Sequence, residues 1–393
     1  MIDGMDFNNN NIPQSLPPMN AAEKYAANVA AIKILKTLEL ERREASAEER
    51  RALALYTGWG DTEVRRRAFQ WHGGPASEEI ASLGLSEEAL DAMRRSALNA
   101  HYTELGVVRA LWEVAMHLGL GELRGPRVLE PSCGIGHFLG LAPYGESDLA
   151  PERIVGVELD DVSAVIARAL YPRCDVRRGG FEAQDLPASF DLAVGNVPFG
   201  DYRVSDERLP DGCRRQIHDY FVCRCVDLLR PGGVAVLITS KGTLDKESAF
   251  VRRWLAERAE LLGAFRMPCD AFEENAGTQV TADVLVLQRL PKDQPGREPE
   301  WVGLEPIRFV GQYGQETEDR VNAYWLSHPD HVLGEWCQNK LVWRPDAGVR
   351  RREGDERPVA DMIRALIPRL PANVFAQGPR ERKAVARPTD ERG

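Results

Sequence analysis

The 393-residue chain has no apolar run approaching the ~20 residues of a membrane span. It also lacks a basic-then-apolar leader, since its first residues, MIDGMDFNNNNIPQ, are polar. A cytoplasmic location is therefore expected. No CxxC pair occurs. The seven cysteines, an odd number, run from Cys133 to Cys337, and Cys223 and Cys225 form only a CxC on a predicted helix. Neither a disulfide framework nor a zinc site is expected, and buried free thiols are the simpler reading. His101, His137 and His218 share no metal-ligand spacing, so no metal is expected. An excess of positive charge is missing too, the net charge being −10. That disfavours tight non-specific binding of nucleic acid by the whole chain. It leaves room for a local basic groove, because surface field and net charge are different quantities. No internal repeat is visible.

What remains is 43% hydrophobic and 28% charged residues, an ordinary soluble balance. The length suits one sizeable domain with appendages, or two domains. Residues 1–20 are Asn- and Pro-rich and read as a disordered arm. Residues 21–100 read as a helical region, interrupted by Tyr56-Thr-Gly-Trp-Gly60 and carrying a predicted N-cap at Ser86. A helix is predicted from Glu104 to Leu120, with Val107, Val108, Leu111, Trp112, Ala115 and Leu118 on one stripe. Predicted strands follow at Arg127–Glu130, Arg153–Glu158, Asp175–Arg177, Phe190–Gly195, Gly233–Thr239, Leu261–Phe265 and Asp283–Gln288. Between them, helices are predicted at Gly136–Leu141, Asp161–Leu170, His218–Leu229 and Lys246–Glu260. This alternation over residues 101–290 predicts an open, mostly parallel α/β sheet. Residues 291–300 read as a Pro-rich linker and residues 301–345 as a small module. Residues 346–393 read as a charged, partly disordered tail, with Arg350–Arg352 solvated.

Two stretches carry candidate chemistry. Leu129-Glu-Pro-Ser-Cys-Gly-Ile-Gly-His-Phe138 sits where the first strand turns into a helix, and ligands of doubly wound sheets bind beyond the strand carboxyl ends. Gly134 and Gly136 let backbone approach a ligand without a Cβ in the way. Glu130 offers a carboxylate suited to an ammonium group. A pyrophosphate would be repelled there, so a cationic amino-acid ligand fits better than a dinucleotide. Glu158, ending the second strand about 20 residues on, is placed to take ribose hydroxyls. After the third strand, Phe181 is a candidate to stack on adenine and Glu182 to accept from its amino group; the plain alternatives are a core phenylalanine and a solvated glutamate.

The second stretch, Asn196-Val-Pro-Phe199, ends the fourth strand. The exocyclic amine of a base is a poor nucleophile because its lone pair is delocalised into the ring. Accepting hydrogen bonds from both N–H groups favours a tetrahedral nitrogen. The Asn196 side-chain oxygen and the Val197 carbonyl are suitable acceptors, and Phe199 can stack on a base turned out of its duplex. Other segments are open to two readings. Asn275–Val280 is a polar turn on the substrate side or a plain loop. Lys241 meets a phosphate or water. Arg203, Arg214 and Arg215 approach a nucleic-acid backbone or lie solvated.

The order Tyr102-Thr103, LEPSCGIG, VGVELD and NVPF resembles the N6-adenine DNA methyltransferases of the γ arrangement. That class carries Asn/Asp-Pro-Pro-aromatic, whereas this chain has Val197 in place of the first proline. Pro198 still biases Val197 toward extended backbone, so the carbonyl is presented similarly. Longer stretches (YTGWG, NAHYT, LEPSCGIGHFLGLAP, GNVPFGDY, HDYF, LRPGGVAVLITSKGTLD and FRMPCDAFEENAGTQVTADVLVLQR) resemble the methylase half of large methylase–helicase fusions of phages, plasmids and bacterial defence islands. The resemblance implies a Rossmann-like class I fold: a mostly parallel seven-stranded sheet with helices on both faces. It implies S-adenosyl-L-methionine as cofactor, with Tyr102 and Thr103 closing the pocket, Glu130 beside Pro131, Gly134 and Gly136 at the methionine moiety, and Glu158 at the ribose. Asn196, Val197, Pro198 and Phe199 would hold the target amine. It further implies DNA with a flipped adenine as substrate, in restriction, anti-restriction or phage defence, and a separate helicase or defence-system subunit as partner. The Asn-Pro-aromatic chemistry by itself serves equally for cytosine N4, an RNA base or a glutamine amide. A non-catalytic subunit that binds cofactor or DNA is the third alternative.

Overall fold

Seven strands pair into one sheet: β1 (Val128–Glu130), β2 (Ile154–Glu158), β3 (Asp175–Arg178), β4 (Phe190–Asn196), β5 (Leu229–Ser240), β6 (Ala259–Met267) and β7 (Ala282–Arg289). Their order across the sheet is β3-β2-β1-β4-β5-β7-β6. The first five are mutually parallel, and β7 runs antiparallel between β5 and β6. Every predicted strand is present within a few residues of its expected bounds, and the sheet has the expected mostly parallel, Rossmann-like arrangement. The computed structural model describes residues 17–70, 75–85, 103–271, 280–291, 299–311, 313–339 and 346–377, together with Glu87, Leu90 and Met93. The expected arm before residue 17, the Ser86 cap and residues 275–279 of the expected Asn275–Val280 turn lie outside the described residues.

The strands alternate as a sheet covered on both faces requires. Leu192, Val194, Val234, Val236, Ile238, Val284 and Val286 point into one core. Phe190, Ala193, Ala235, Leu237, Leu285 and Leu287 point into the other. Helices Leu105–His117 and Asp161–Leu170 cover the first face; Ile217–Leu228 and Phe250–Ala256 cover the second. The Asp161–Leu170 helix starts where expected because the Asp160 carboxylate caps it, accepting from the Ser163 N–H at 2.8 Å. The helix expected over Lys246–Glu260 is shorter, at Phe250–Ala256. Ala259 and Glu260 belong instead to β6, paired with Arg289 and Gln288, and Lys246 turns inward onto Asp219.

The N-terminal helices build a core of their own around Tyr25, Val29, Ile32, Trp59 and Val64. Asn28 closes it: its Nδ2 donates to the Gly58 carbonyl at 2.5 Å and its Oδ1 accepts from the Thr57 N–H at 2.9 Å. The Ala21–Glu41 and Ala47–Leu53 helices lean on the Asp161–Leu170 helix. No helix among the described residues is long and apolar enough to cross a membrane.

The C-terminal part corrects the sequence reading. Strands β8 (Leu304–Val310) and β9 (Glu316–Asn322) form an antiparallel hairpin. Strand β10 (Glu335–Gln338) pairs with β11 (Ala347–Arg350), so this ladder crosses the boundary expected at residue 346. Trp301, Val321, Trp325, Ala347 and Val349 share the second core of the sheet, and the region is no separate unit. Residues 359–377 are folded. The apolar face of helix Val359–Leu366, continued by Leu370 and Val374, packs against helix Leu105–His117 and the first core. The charges between these apolar residues face outward, and their number disguised a helical period as tail. Arg350 pairs with Glu335 and Arg351 with Asp270, so these two are not simply solvated.

One buried charge cluster welds the C-terminal part to the sheet. The Arg266 guanidinium, fully buried, holds Asp283 through two 2.8 Å bonds and Asp245 through one of 2.5 Å. Its charge lies over the Trp325 ring, 4.5 Å from the centroid. Removing one partner of such a pair strands a buried charge, which costs about 3–5 kcal/mol. Asp283→Ala is expected to lower the free energy of unfolding by that amount in a urea titration; an unchanged midpoint would refute the assignment.

Candidate functional site

Because β1 lies between β2 and β4, the last residues of all three strands, Glu130, Glu158 and Asn196, meet at one edge of the sheet. This is the edge at which parallel α/β sheets bind ligands.

The β1 turn is built tightly. The Cys133 N–H donates to the Val157 carbonyl at 2.8 Å, which ties the turn to β2. Gly134 and Gly136 have φ of 54° and 91°. A Cβ at Gly136 would lie 2.5 Å from Cε2 of Tyr171, so only glycine lets the turn pass that ring. The Glu130 side chain is 2% exposed, and its Oε2 has no hydrogen-bond partner. Burial, and secondarily the Glu158 charge, push its carboxyl well above the usual range. Glu158 accepts from the Gly134 N–H and the Asp160 N–H, each at 2.7 Å. Burial outweighs these bonds and raises its pKa to about 7. Glu158 thus fastens the β1 turn to the β2 turn and keeps a titratable carboxyl.

At the end of β4, a Cβ on Gly195 would sit 3.2 Å from Cγ of Glu130 and 3.4 Å from Cδ of Pro131, so the glycine lets β4 close on the β1 turn. Asn196 is held at several points. Its Nδ2 donates to Oγ1 of Thr103 at 3.1 Å. Its backbone carbonyl accepts from Oγ of Ser132 at 2.8 Å. The next N–H, of Val197, donates to the Ile238 carbonyl on β5 at 3.0 Å. The Asn196 Oδ1 is buried and has no hydrogen-bond partner. Val197 is buried, and Phe199 is half-buried at the border of the two cores.

The structure therefore brings Thr103, Glu130, Pro131, Gly134, Gly136, Glu158 and Asn196–Phe199 together. Tyr102 lies outside the described residues. Phe181 is 2% exposed, tilted against Phe221 with ring centroids 5.0 Å apart and edge-on to Tyr220. Its packing is that of a core residue. Glu182 is exposed beside it and folds back over Gly180. Lys241 takes neither expected role: its ammonium holds Asp346 and the Ala347 carbonyl at 2.8 and 2.7 Å. Arg203 and Arg215 both pair with Asp211 inside their own loop. Burial holds the His137 and His218 imidazoles down to about 4, which leaves both neutral.

Sequence reasoning missed Ser132, although it stands inside LEPSCGIG. Its hydroxyl finds Asn196 only because β1 and β4, 64 residues apart at these positions, are neighbours.

No protein-family model matches the chain. Over 319 residues it is 28% identical to the Defense against restriction protein B of Escherichia phage P1, an alignment covering 79% of this chain and 12% of that protein. A 116-residue stretch is 35% identical to a "Probable S-adenosylmethionine-dependent methyltransferase" of Mycolicibacterium smegmatis, covering 29% of this chain and 38% of the other. The chain spans well under half the length of either curated relative. Among solved structures, the type I restriction-modification methyltransferase subunit of Streptococcus thermophilus aligns with a TM-score of 0.42 and 16% identity, covering 69% of this chain and 81% of that one. The resemblance read from the motifs thus recurs as homology to a phage protein named for defence against restriction.

The Glu158 shift has a stability consequence. A carboxyl raised by folding from 4.5 to about 7 adds stability that is complete below 4.5 and is lost as pH rises through 7. The ligand-free protein is therefore expected to lose thermal stability across that window. Glu158→Gln, which retains an oxygen acceptor, should flatten the decline and raise the midpoint at pH about 8. Parallel Tm profiles for the two proteins would count against the assignment.

Proposed function

We propose that this chain is an S-adenosylmethionine-dependent methyltransferase whose acceptor is an exocyclic amine of a DNA base, specifically N6 of adenine. The observation that carries the reading is the Asn196 Oδ1, a buried hydrogen-bond acceptor without a partner at the ligand-binding edge of the sheet. Leaving such an acceptor unsatisfied costs about 1–3 kcal/mol, and a donor from a bound molecule relieves that cost. An amine N–H is such a donor. A second N–H bonded to the Val197 carbonyl would draw the nitrogen toward tetrahedral geometry and free its lone pair. Phe199, half-buried next to them, is the aromatic residue that would stack on the base. Neutral His137 and His218 and the non-titrating Asn196 are consistent with a site that works by holding and orienting.

The residues around the β1 turn fit the cofactor. Glu130 is a buried carboxyl with an unpartnered oxygen and suits the ammonium of an amino acid. Glu158 retains lone pairs for ribose hydroxyls, and the Gly134–Gly136 turn offers backbone close by. When bound, S-adenosylmethionine supplies a methyl group on a positively charged sulfur. Homology to the phage protein and the motif order Tyr102-Thr103, Glu130–Gly136, Asn196–Phe199 support DNA and adenine over other amine-bearing polymers, and support a setting in restriction or defence against it. A separate helicase or defence-system subunit would supply the motor function.

The test is transfer of isotope-labelled methyl from the cofactor to unmethylated DNA, RNA and protein, followed by digestion of labelled DNA to nucleosides. N6-methyladenine is the expected product. Label confined to RNA or protein would overturn the choice of substrate. Asn196→Ala is expected to reduce the rate by ~100-fold or more, as removal of a positioned polar group does. An undiminished rate would remove Asn196 from the acceptor role.

A further inference from the structure

We propose that Thr103 and Ser132 are positioning residues that jointly set the direction of the Asn196 side chain, one fixing its amide and the other its backbone. The inference rests on Asn196 being the amine acceptor.

An asparagine at a strand end has two freedoms that matter here: the peptide plane after it and the rotation of its amide. Both are taken up in this structure, by different elements. The peptide plane between Asn196 and Val197 is gripped at both polar groups. Ser132 Oγ donates to the carbonyl at 2.8 Å and the N–H donates to Ile238 at 3.0 Å. The first grip comes from the β1 turn and the second from β5, so the plane is anchored on both sides of β4. The amide is gripped by Thr103 Oγ1, which accepts from Nδ2 at 3.1 Å. Thr103 is 7% exposed and precedes helix Leu105–His117, whose start is capped by the Glu104 carboxylate.

With Nδ2 turned to Thr103, Oδ1 is the amide atom left over, and it is the one that is buried and unpartnered. An amide free to rotate would present its NH2 to an incoming amine half of the time, donor facing donor. Thr103 removes that orientation. Ser132 acts one bond further back: without it, the strand end can swing and carry the amide with it. Displacement of a reacting group by about 1 Å can cost ~100-fold in rate while binding is little changed. Both residues should therefore act on kcat rather than on KM.

The experiment uses the full chain with Thr103→Val, Thr103→Ser and Ser132→Ala. Valine is near-isosteric with threonine but cannot hydrogen-bond, whereas serine keeps the hydroxyl. Labelled methyl transfer to unmethylated genomic DNA is read as kcat and as KM for S-adenosylmethionine. The side-chain amide resonances of Asn196, identified by their loss in Asn196→Ala, are followed in parallel. Thr103→Val and Ser132→Ala are each expected to lower kcat by ~10- to 100-fold with KM within about threefold, and Thr103→Ser to restore most of the rate. The amide resonances should shift in Thr103→Val and stay near their wild-type positions in Thr103→Ser. Wild-type kcat in either Thr103→Val or Ser132→Ala overturns the role given to that residue, and unshifted amide resonances in Thr103→Val overturn it for Thr103. Should the wild-type chain label no DNA, the proposed function fails, and the amide resonances alone decide whether Thr103 orients Asn196.

Discussion

The adjacency of β4 to β1 governs the site. The two strands run so close at their ends that a methyl group on Gly195 would press on the Glu130 side chain. Neither strand arrives there by chain proximity, since β2, β3 and their helices intervene in sequence. The sheet begins at β1 and grows outward through β2 to β3, then resumes on the other side with β4. That reversal leaves a crevice above the strand ends and sets a buried acid and a buried amide beside each other. It also lets Ser132, in the turn after β1, reach the main chain of β4.

The same crevice concentrates groups that are unfavourable in the absence of a ligand. Glu130 is buried with an unpartnered oxygen, Glu158 is raised to about 7, and the Asn196 oxygen accepts nothing. Each feature destabilises the free protein by a modest amount, and all three face the same edge. Proteins tolerate such groups where a ligand satisfies them. Glu158 fastens the crevice: its two backbone N–H bonds join the β1 and β2 turns. Phe181 shows the opposite case, an aromatic in a plausible place that packs into the core against Tyr220 and Phe221.

Away from the site, the rest of the chain stiffens the sheet. The N-terminal helices enclose Trp59 and the Asn28 bonds and brace the Asp161–Leu170 helix. At the other end, Asp245 accepts from both Arg266 and the Asn322 N–H, and Gln288 of β7 donates to the Val374 carbonyl. Among the described residues, the Ala21–Glu41 helix packs on Asp161–Leu170 and the Val359–Leu366 helix on Leu105–His117.

The strands and most helices were legible because their periods are local properties. Strictly alternating or continuous apolar runs of strand length flanked by glycine, proline and acidic turns admit few other foldings. Glu130, Glu158 and Asn196 were legible as candidates because each ends such a run. Three things were not legible. Helix Val359–Leu366 is amphipathic, but its polar face is dense with charge, and only the partner helix Leu105–His117 shows which side is buried. Lys241 and Arg203 were free cations as text and are ion-paired in space, since Asp346 lies 105 residues from Lys241 and Asp211 folds back within its own loop. The bonds that the Thr103 and Ser132 hydroxyls make to Asn196 carry no periodicity at all. By itself, then, the sequence determined the elements, the edge and the candidate residues Glu130, Glu158 and Asn196, because those follow from side-chain type and spacing along the chain. Tertiary structure alone decided which oxygen of which residue stands free, because hydrogen bonds at a strand end are made by whichever elements the sheet order places beside it.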